Sequence, residues 1–440
     1  MEERPHLVVI IGAGFGGLSA VRKMNSMQGK ITIIDKRNFH LFQPLLYQAA
    51  TGLLCTSEIT PPLRHILRHQ KNAQVLLGEV VDFDPSNKRV ILADGEIEYD
   101  TLIVAAGMIN HYFGHDEWAK YAPGLKTIED TAEIRQRIFY AFEVAERETD
   151  PALRREWLTF IVVGGGATGI ELSGMLAEIA KNTLKDEFRS IRPEESQIIL
   201  LDAEDRILPA YPAELSEKAE SSLARLGVKT YTDAKVINID EKGIMMVQQG
   251  RNEYLPARNI FWATGVRASP LGQMLAEKTG AEVDHQGRII VKTDLTIAGH
   301  PEIFVIGDLA HYEAKDGRPL PGLAPVATQQ GRYVAKIIRD RLAGKTIVRP
   351  FKYFDKGTLA VIGRNAAVAD IGRLHFGGYF AWFLWLFIHL ILLINFENRI
   401  VVLIRWAFQY FSASHGARQL AIKGSLRLPI TLKGTSQKAE

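Results

Sequence analysis

Short, unbroken apolar runs that end on glycine or on an acid set the rhythm of the first three hundred residues. LVVII (7–11) stops at GAGFGG and passes into the helix-like LSAVRKMNS, and KITIID (30–35) follows, closing on Asp35. LTFIVV (158–163) stops at GGGATG, leads into the helix-like IELSGMLAEIA, and is followed by SQIILLD, closing on Asp202. Three more runs end on small residues: TLIVAAG (101–107), NIFWATG (259–265) and EIFVIGD (302–308). Runs this short, bounded by turn residues and alternating with helical patterns, predict an α/β fold built on sheets buried on both faces.

The pattern changes once, at YFAWFLWLFIHLILLINF (379–396), where His389 is the only ionisable group in eighteen positions. As one helix at about 1.5 Å per residue, this run covers most of a hydrocarbon core about 30 Å thick. After the polar NFENR, the segment IVVLIRWAFQYFS places Arg405, Gln409 and Ser412 on one helical face and aliphatic and aromatic residues on the other. That is the pattern of a helix lying in a membrane interface. Trp382, Trp385 and Trp406 suit the headgroup belt.

At 440 residues the chain exceeds one compact core, and two or three domains are expected. The expected division is 1–115 and 286–350 for one Rossmann-like dinucleotide domain, 116–285 for a second inserted within it, and 351–440 for a helical, membrane-anchoring region. The single cysteine, Cys55, excludes a disulfide framework, a cysteine-rich metal site and a redox dithiol. No Lys, Arg or His adjoins it in sequence, so it reads as a small buried hydrophobe. A peroxidase or oxidase using one sulfur stays open on the count alone. The isolated histidines His40, His65 and His389 lack ligand spacing, and no metal is expected.

Charge is unevenly placed. Arg399, Arg405, Arg418, Lys423, Arg427, Lys433 and Lys438 stand against Glu440 alone, so the tail is basic and the body slightly acidic in a chain of net charge +3. A basic stretch beside an apolar one attracts anionic lipid, at about 1 kcal/mol per cation near the surface. Nucleic-acid binding would instead need a basic body. MEERPH runs directly into the first strand without the pattern of an export signal, so the catalytic body is expected on the cytoplasmic side.

Gly12, Gly14 and Gly17 fit G-x-G-x-x-G between strand and helix, with Asp35 ending the next strand. The glycines permit a tight turn, close approach of a pyrophosphate and helix-on-strand packing, while the acid takes a ribose hydroxyl. Gly164, Gly166, Gly169 and Asp202 repeat the arrangement. Two dinucleotides in one molecule point to electron transfer between them. Asp202, with Glu204 and Asp205 close behind, favours NADH over NADPH, Arg206 being the one group that could accommodate a 2′-phosphate.

In this order the motifs resemble the two-dinucleotide-binding flavoprotein reductases, the glutathione-reductase-like superfamily. The resemblance implies FAD on the first fingerprint and Asp308, and nicotinamide on the second. More specifically, HLFQPLLYQAATGLL (40–54), LPGLAPVATQQGRYVA (320–335), DKGTLAVIGRNAAVAD (355–370) and the aromatic tail resemble the type II NADH dehydrogenases, non-proton-pumping NADH:quinone oxidoreductases. The likeness runs to about residue 425. It implies a cofactor set of Gly12, Gly14, Phe15, Gly16, Gly17, Asp35, Lys36, Gln48, Val80, Ala106, Gly107, Gly307 and Asp308 for FAD. It implies Gly164, Gly166, Thr168, Gly169, Asp202, Thr264 and Gly265 for NADH.

Ala324 and Pro325 stand where many members carry Ala-Gln, leaving Gln329 and Gln330 as polar contacts for a quinone. Glu171 is the expected group at the nicotinamide–flavin junction, and Lys356 the expected partner of the reduced flavin. The resemblance also favours a monotopic anchor over a single crossing at 379–396, with a homodimer compatible with docking. Two other readings stay open at this point: a soluble NAD(P)H:acceptor reductase and a non-enzymatic NADH-sensing flavoprotein.

Overall fold

The computed structural model describes residues 4–412, apart from 315–316 and 346–348, together with residue 419. The five basic residues expected beyond position 412 lie outside the described residues. The first sheet is built around β1 (Leu7–Ile11), which pairs in parallel with β2 (Lys30–Asp35) on one side. Beyond β2 lies β3 (Ala73–Leu77), and on the other side of β1 lies β4 (Thr101–Val104). His300–Val305 then extends the sheet in parallel beside β4, and Thr296–Ile297 closes it antiparallel. All four residues of β4 are buried, as an apolar run without alternation requires.

Between β1 and β2 runs α1 (Phe15–Lys23). It packs against α4 (Ala324–Leu342) so closely that a Cβ on Gly331 would lie 2.2 Å from the Gly16 carbonyl oxygen. The two helices cross on glycine.

A second parallel sheet carries β5 (Thr159–Val163), flanked by β6 (Gln197–Leu201) and then β7 (Val228–Tyr231) on one side and by β8 (Asn259–Trp262) on the other. A short antiparallel pair, Met108–Asn110 with Val266–Ala268, joins the chain segments that run between the two sheets.

The C-terminal region is not helical from its start. Thr358–Gly363, Ala366–Ile371 and Leu374–Gly378 form a three-stranded antiparallel sheet, and this sheet rests on α3 (Ala167–Glu178). The fit is intimate, because a Cβ on Gly174 would sit 1.6 Å from the Ile362 carbonyl oxygen. Only from Tyr379 does the chain become helical.

The apolar run does not make one helix. α5 (Tyr379–Leu392) stops after fourteen residues, about 21 Å at the helical rise. Asn395 takes a positive φ of 71°, and α6 (Phe396–Ser412) begins in a new direction. Among the described residues no helix is long and apolar enough to cross a membrane, so the single crossing that length alone allowed is not built.

The two helices turn two tryptophans inward and their phenylalanine and aliphatic faces outward. Trp385, Val402 and Trp406 are buried. Phe380, Phe383, Phe387, Ile391, Phe396, Ile404, Phe408 and Phe411 are exposed, Phe411 by 86%. Fourteen of the twenty-three exposed large apolar side chains among the described residues lie between 374 and 411. That concentration marks an interaction surface, since singly scattered apolar residues need no explanation.

Candidate functional site

The glycine loop after β1 shows why each glycine is needed. Gly12 has a φ of 92°, and a Cβ there would meet the Ala105 carbonyl oxygen at 2.4 Å. A Cβ on Gly17 would lie 1.9 Å from the Gly12 oxygen. Gly14, by contrast, has nothing within 4 Å of its missing Cβ, and no side chain caps the N-terminus of α1 behind it. The loop is closed toward the protein and open toward a cavity, with free N–H donors at a helix N-terminus. Those are the requirements of a pyrophosphate site.

The cavity, about 480 Å³, runs from Asp35 and Lys36 at one end to Tyr47 and Glu171 at the other. Gly12, Gly14, Phe15, Gly16, Ala106, Gly107, Thr168, Gly307, Asp308 and Ala324 also line it. Asp35 accepts from the Ala13 N–H at 2.7 Å and the Arg37 N–H at 2.8 Å, so it holds the loop as well as facing the cavity. Burial pushes the Asp308 carboxyl up, with the charge of Lys126 across the cavity opposing. FAD fits this donor set: a pyrophosphate cradle, an acid at the second strand's end and a carboxyl at the far strand's end.

Lys126 is a cavity residue that the sequence did not single out. Its placement follows from the turn before the helix at Ile128–Arg147, where Asp130 accepts from the Lys126 and Thr127 N–H groups at 2.8 and 2.9 Å.

Other sequence-derived candidates fall outside the cavity. Gly17 is a packing glycine. Val80 begins a strand and is buried in the core beneath the first sheet. Gln330 is fully buried, and its carbonyl accepts from the Gly307 N–H at 2.6 Å, which fixes the turn that presents Asp308. Gln329 is clamped to the Phe354 backbone, donating to its oxygen at 2.9 Å and accepting from its nitrogen at 3.0 Å. Pro325 stands in the first turn of α4, and Lys356 lies exposed on the turn before the C-terminal sheet. Neither residue lines a cavity described here.

The second glycine loop repeats the first. Gly164 has a φ of 115° and faces Thr264 and Ala263; a Cβ on Gly169 would overlap the Gly164 oxygen at 1.8 Å; Gly166 is open. Gly265, with a φ of 66°, lies against the His111 oxygen. Asp202 accepts from the Gly165 and Glu204 N–H groups. Arg206 donates to the Pro209 carbonyl at 3.1 Å, and Glu204 and Asp205 are exposed beside it. The acids cluster where the strand ends beside the glycine loop, and the one cation is engaged elsewhere.

Glu171 stands one turn into α3, and its carboxyl accepts from the Val361 N–H at 3.4 Å. Removal from bulk water raises its pKa well above the ordinary carboxylate value, and raises the neighbouring Tyr47 phenol. Tyr47 belongs to α2 (Leu46–Ala50), and its hydroxyl accepts from Gln48 Nε2 at 2.9 Å. Gln48 Oε1 accepts from Trp406 Nε1 of α6 at 2.8 Å. Thus Gln48 is tied to α6.

Tyr47 and Glu171 also line a second, smaller cavity, about 70 Å³, bounded by α2, α3, the C-terminal sheet, α5 and α6. Trp385 lines it with a buried, unpartnered indole N–H.

Cys55 is half-buried rather than buried, and a cation does approach it. Arg405 of α6 donates to its sulfur at 3.5 Å and to Glu58 at 2.7 Å. The Arg405 side chain of α6 thus reaches the body, at a side-chain exposure of 39%. Among the described residues no cluster of three His, Cys, Asp or Glu suits a metal ion.

The family model for pyridine nucleotide-disulphide oxidoreductases matches residues 6–331, and the NDH2 C-terminal domain matches 356–414. The type II NADH:quinone oxidoreductase NdhA of Mycobacterium tuberculosis is 45% identical over 97% of this chain and 92% of its own length. Its relative Ndh from the same organism is 44% identical over 94% and 90%. The type II NADH:quinone oxidoreductase of Staphylococcus haemolyticus is 31% identical over 83% and 89%. Among solved structures, NDH2 from Plasmodium falciparum in complex with NADH superposes with a TM-score of 0.87 at 20% identity, covering 95% of this chain and all of that one. The sulfide:quinone oxidoreductase of Aquifex aeolicus gives 0.71 at 17%, covering 93% and 96%.

Proposed function

Because the chain belongs to the type II NADH:quinone oxidoreductase family, we infer that it takes hydride from NADH and delivers two electrons to a membrane quinone without pumping protons. The second glycine loop and Asp202 hold NADH; the first loop, Asp35, Gly107 and Gly307–Asp308 hold FAD. FAD, when bound, supplies the redox centre that accepts from the nicotinamide and gives to the quinone. The protein's part is to bind, orient and move protons.

Glu171, kept neutral by burial, stands where both cavities meet and holds a proton for the nascent quinol. Gln330 positions Asp308 through Gly307, and Gln329 fixes Phe354; both act on the site through the backbone. The quinone head group approaches through the smaller cavity, under the apolar faces of α5 and α6. Those faces dock on lipid at the cytoplasmic face of the membrane; a division into one dinucleotide domain (1–115 and 286–350), a second inserted within it (116–285) and an anchor (351–440) is part of the same reading.

The observation that carries this reading is the shared wall: Tyr47 and Glu171 line both the dinucleotide cavity and the one beneath the exposed apolar helices. Stopped-flow reduction of the purified yellow protein by NADH, followed by mixing with a short-chain quinone, tests it. Reoxidation by quinone faster than by air is expected. Equal rates overturn the function.

A further inference from the structure

Resting on that reading, one buried acid remains without a role. Glu178 is 7% exposed at the end of α3 and lines the smaller cavity together with Glu171. The two acids are seven residues apart, two helical turns and about 10.5 Å along the axis, on one face of the helix. Immediately after Glu178 the helix opens into a π-helical turn, Ile179–Thr183. Such turns are rare and often mark functional sites. Asn182 of that turn and Arg364 of the C-terminal sheet are exposed and also line the cavity, so it reaches solvent beside Glu178. At its inner end stands Glu171, against Tyr47 and the dinucleotide cavity.

The net reaction fixes the demand. NADH gives up a hydride, two electrons and one proton, while the quinone becomes a quinol by gaining two electrons and two protons. The second proton comes from water, one per turnover, and it must reach an interior site.

We propose that Glu178 is the acid through which that proton enters, passing by cavity water to Glu171. In balance, the Glu171 carboxyl gives its proton to the quinol oxygen and becomes a carboxylate. Glu178 returns a proton to Glu171 along the water, and is itself reprotonated from bulk water at the Asn182–Arg364 mouth. At about 70 Å³ this cavity has room for a few water molecules at roughly 10–15 Å³ each, with Tyr47, Glu171, Glu178, Asn182 and the Trp385 indole N–H as polar partners.

The groups that share the space with Glu178 are Arg364 from the sheet, Tyr47 from α2, Glu171 from its own helix and Tyr410 from α6. Arg364 also presents its backbone N–H to Glu178 Oε1 at 2.5 Å, and its guanidinium stacks over Tyr410 at 4.3 Å. Burial pushes the Glu178 carboxyl up, with Arg364 opposing, so the acid holds its proton above the ordinary carboxylate range.

The test is Glu178→Gln in the full-length holoenzyme, a change that keeps an oxygen to accept from Arg364 N–H. Three results are expected. Reduction by NADH stays within about twofold, while reoxidation by a short-chain quinone slows by about tenfold or more, the lower range for loss of an acid–base group. The alkaline limb of the reoxidation pH profile shifts. An infrared band of a protonated carboxyl is lost at neutral pH, independently of turnover. Glu178→Asp retains most of the reoxidation rate.

Wild-type reoxidation rates and an unchanged pH profile in Glu178→Gln overturn the proposal. So does an aspartate variant as slow as the glutamine one, which would make Glu178 a structural support. If the wild-type enzyme itself is reoxidised no faster by quinone than by air, the function proposed above fails instead, and the infrared band still decides whether Glu178 carries a proton.

Discussion

Glu171 and Asp202 flank the same glycine loop, one on the helix that follows it and the other at the end of the neighbouring strand, in different surroundings. Asp202 accepts two backbone N–H groups, those of Gly165 and Glu204. Glu171 has one long contact, from the Val361 N–H, and desolvation raises its pKa well above the ordinary carboxylate value. Removing Asp202 by Asp202→Ala deletes a charged hydrogen bond to the ribose, about 1.5–3 kcal/mol, and should raise the KM for NADH about tenfold or more. Activity with NADPH equal to that with NADH in the unmodified enzyme contradicts this role. The raised Glu171 pKa also sets a sign for stability. Between the ordinary carboxylate pKa and the raised one, the folded state binds a proton that the unfolded chain has lost. Stability contributed here is therefore present in acid and falls as pH rises through that window. Thermal melts across the window should decline with pH, and Glu171→Gln should show a smaller decline; parallel curves refute the assignment.

At the scale of elements, α3 and α6 carry the site by contacts that no local pattern announces. The Gly174–Ile362 approach leaves no room for a methyl group, so Gly174→Ala should cost about 3 kcal/mol or more, read from the denaturation midpoint, as overpacking does. Trp406→Phe removes the donor to buried Gln48 and should cost about 1–3 kcal/mol. The glycine loops and the acids at strand ends were legible in sequence, because turn geometry and phosphate approach demand those residues at that spacing. Gln330 was legible only as a polar residue, since its bond to Gly307 exists only when α4 lies beneath that turn. Arg405 looked like a solvent- or lipid-facing cation. Its partners Glu58 and Cys55 are some 350 residues away, and only the fold brings them together. The sheet within 358–378 was hidden by treating the C-terminal region as one helical anchor, although TLAVIG and AAVADI are short strand-length runs.

For the whole molecule, the two sheets, the C-terminal sheet and the apolar helices form one path from a nicotinamide site to a surface that lipid can cover. That surface is made by burying Trp385 and Trp406 and turning phenylalanines outward, the reverse of a soluble helix pair. The direct test compares NADH oxidation by vesicle-embedded long-chain quinone with that by a water-soluble quinone, in wild type and in a variant with Phe383, Phe387, Phe408 and Phe411 all changed to Ser. Each exposed phenylalanine contributes roughly 1.5–3 kcal/mol if lipid buries it fully, so losing four should nearly abolish docking. The account predicts that the vesicle rate falls by about tenfold or more while the water-soluble rate is kept. Equal vesicle rates in the two proteins would contradict it.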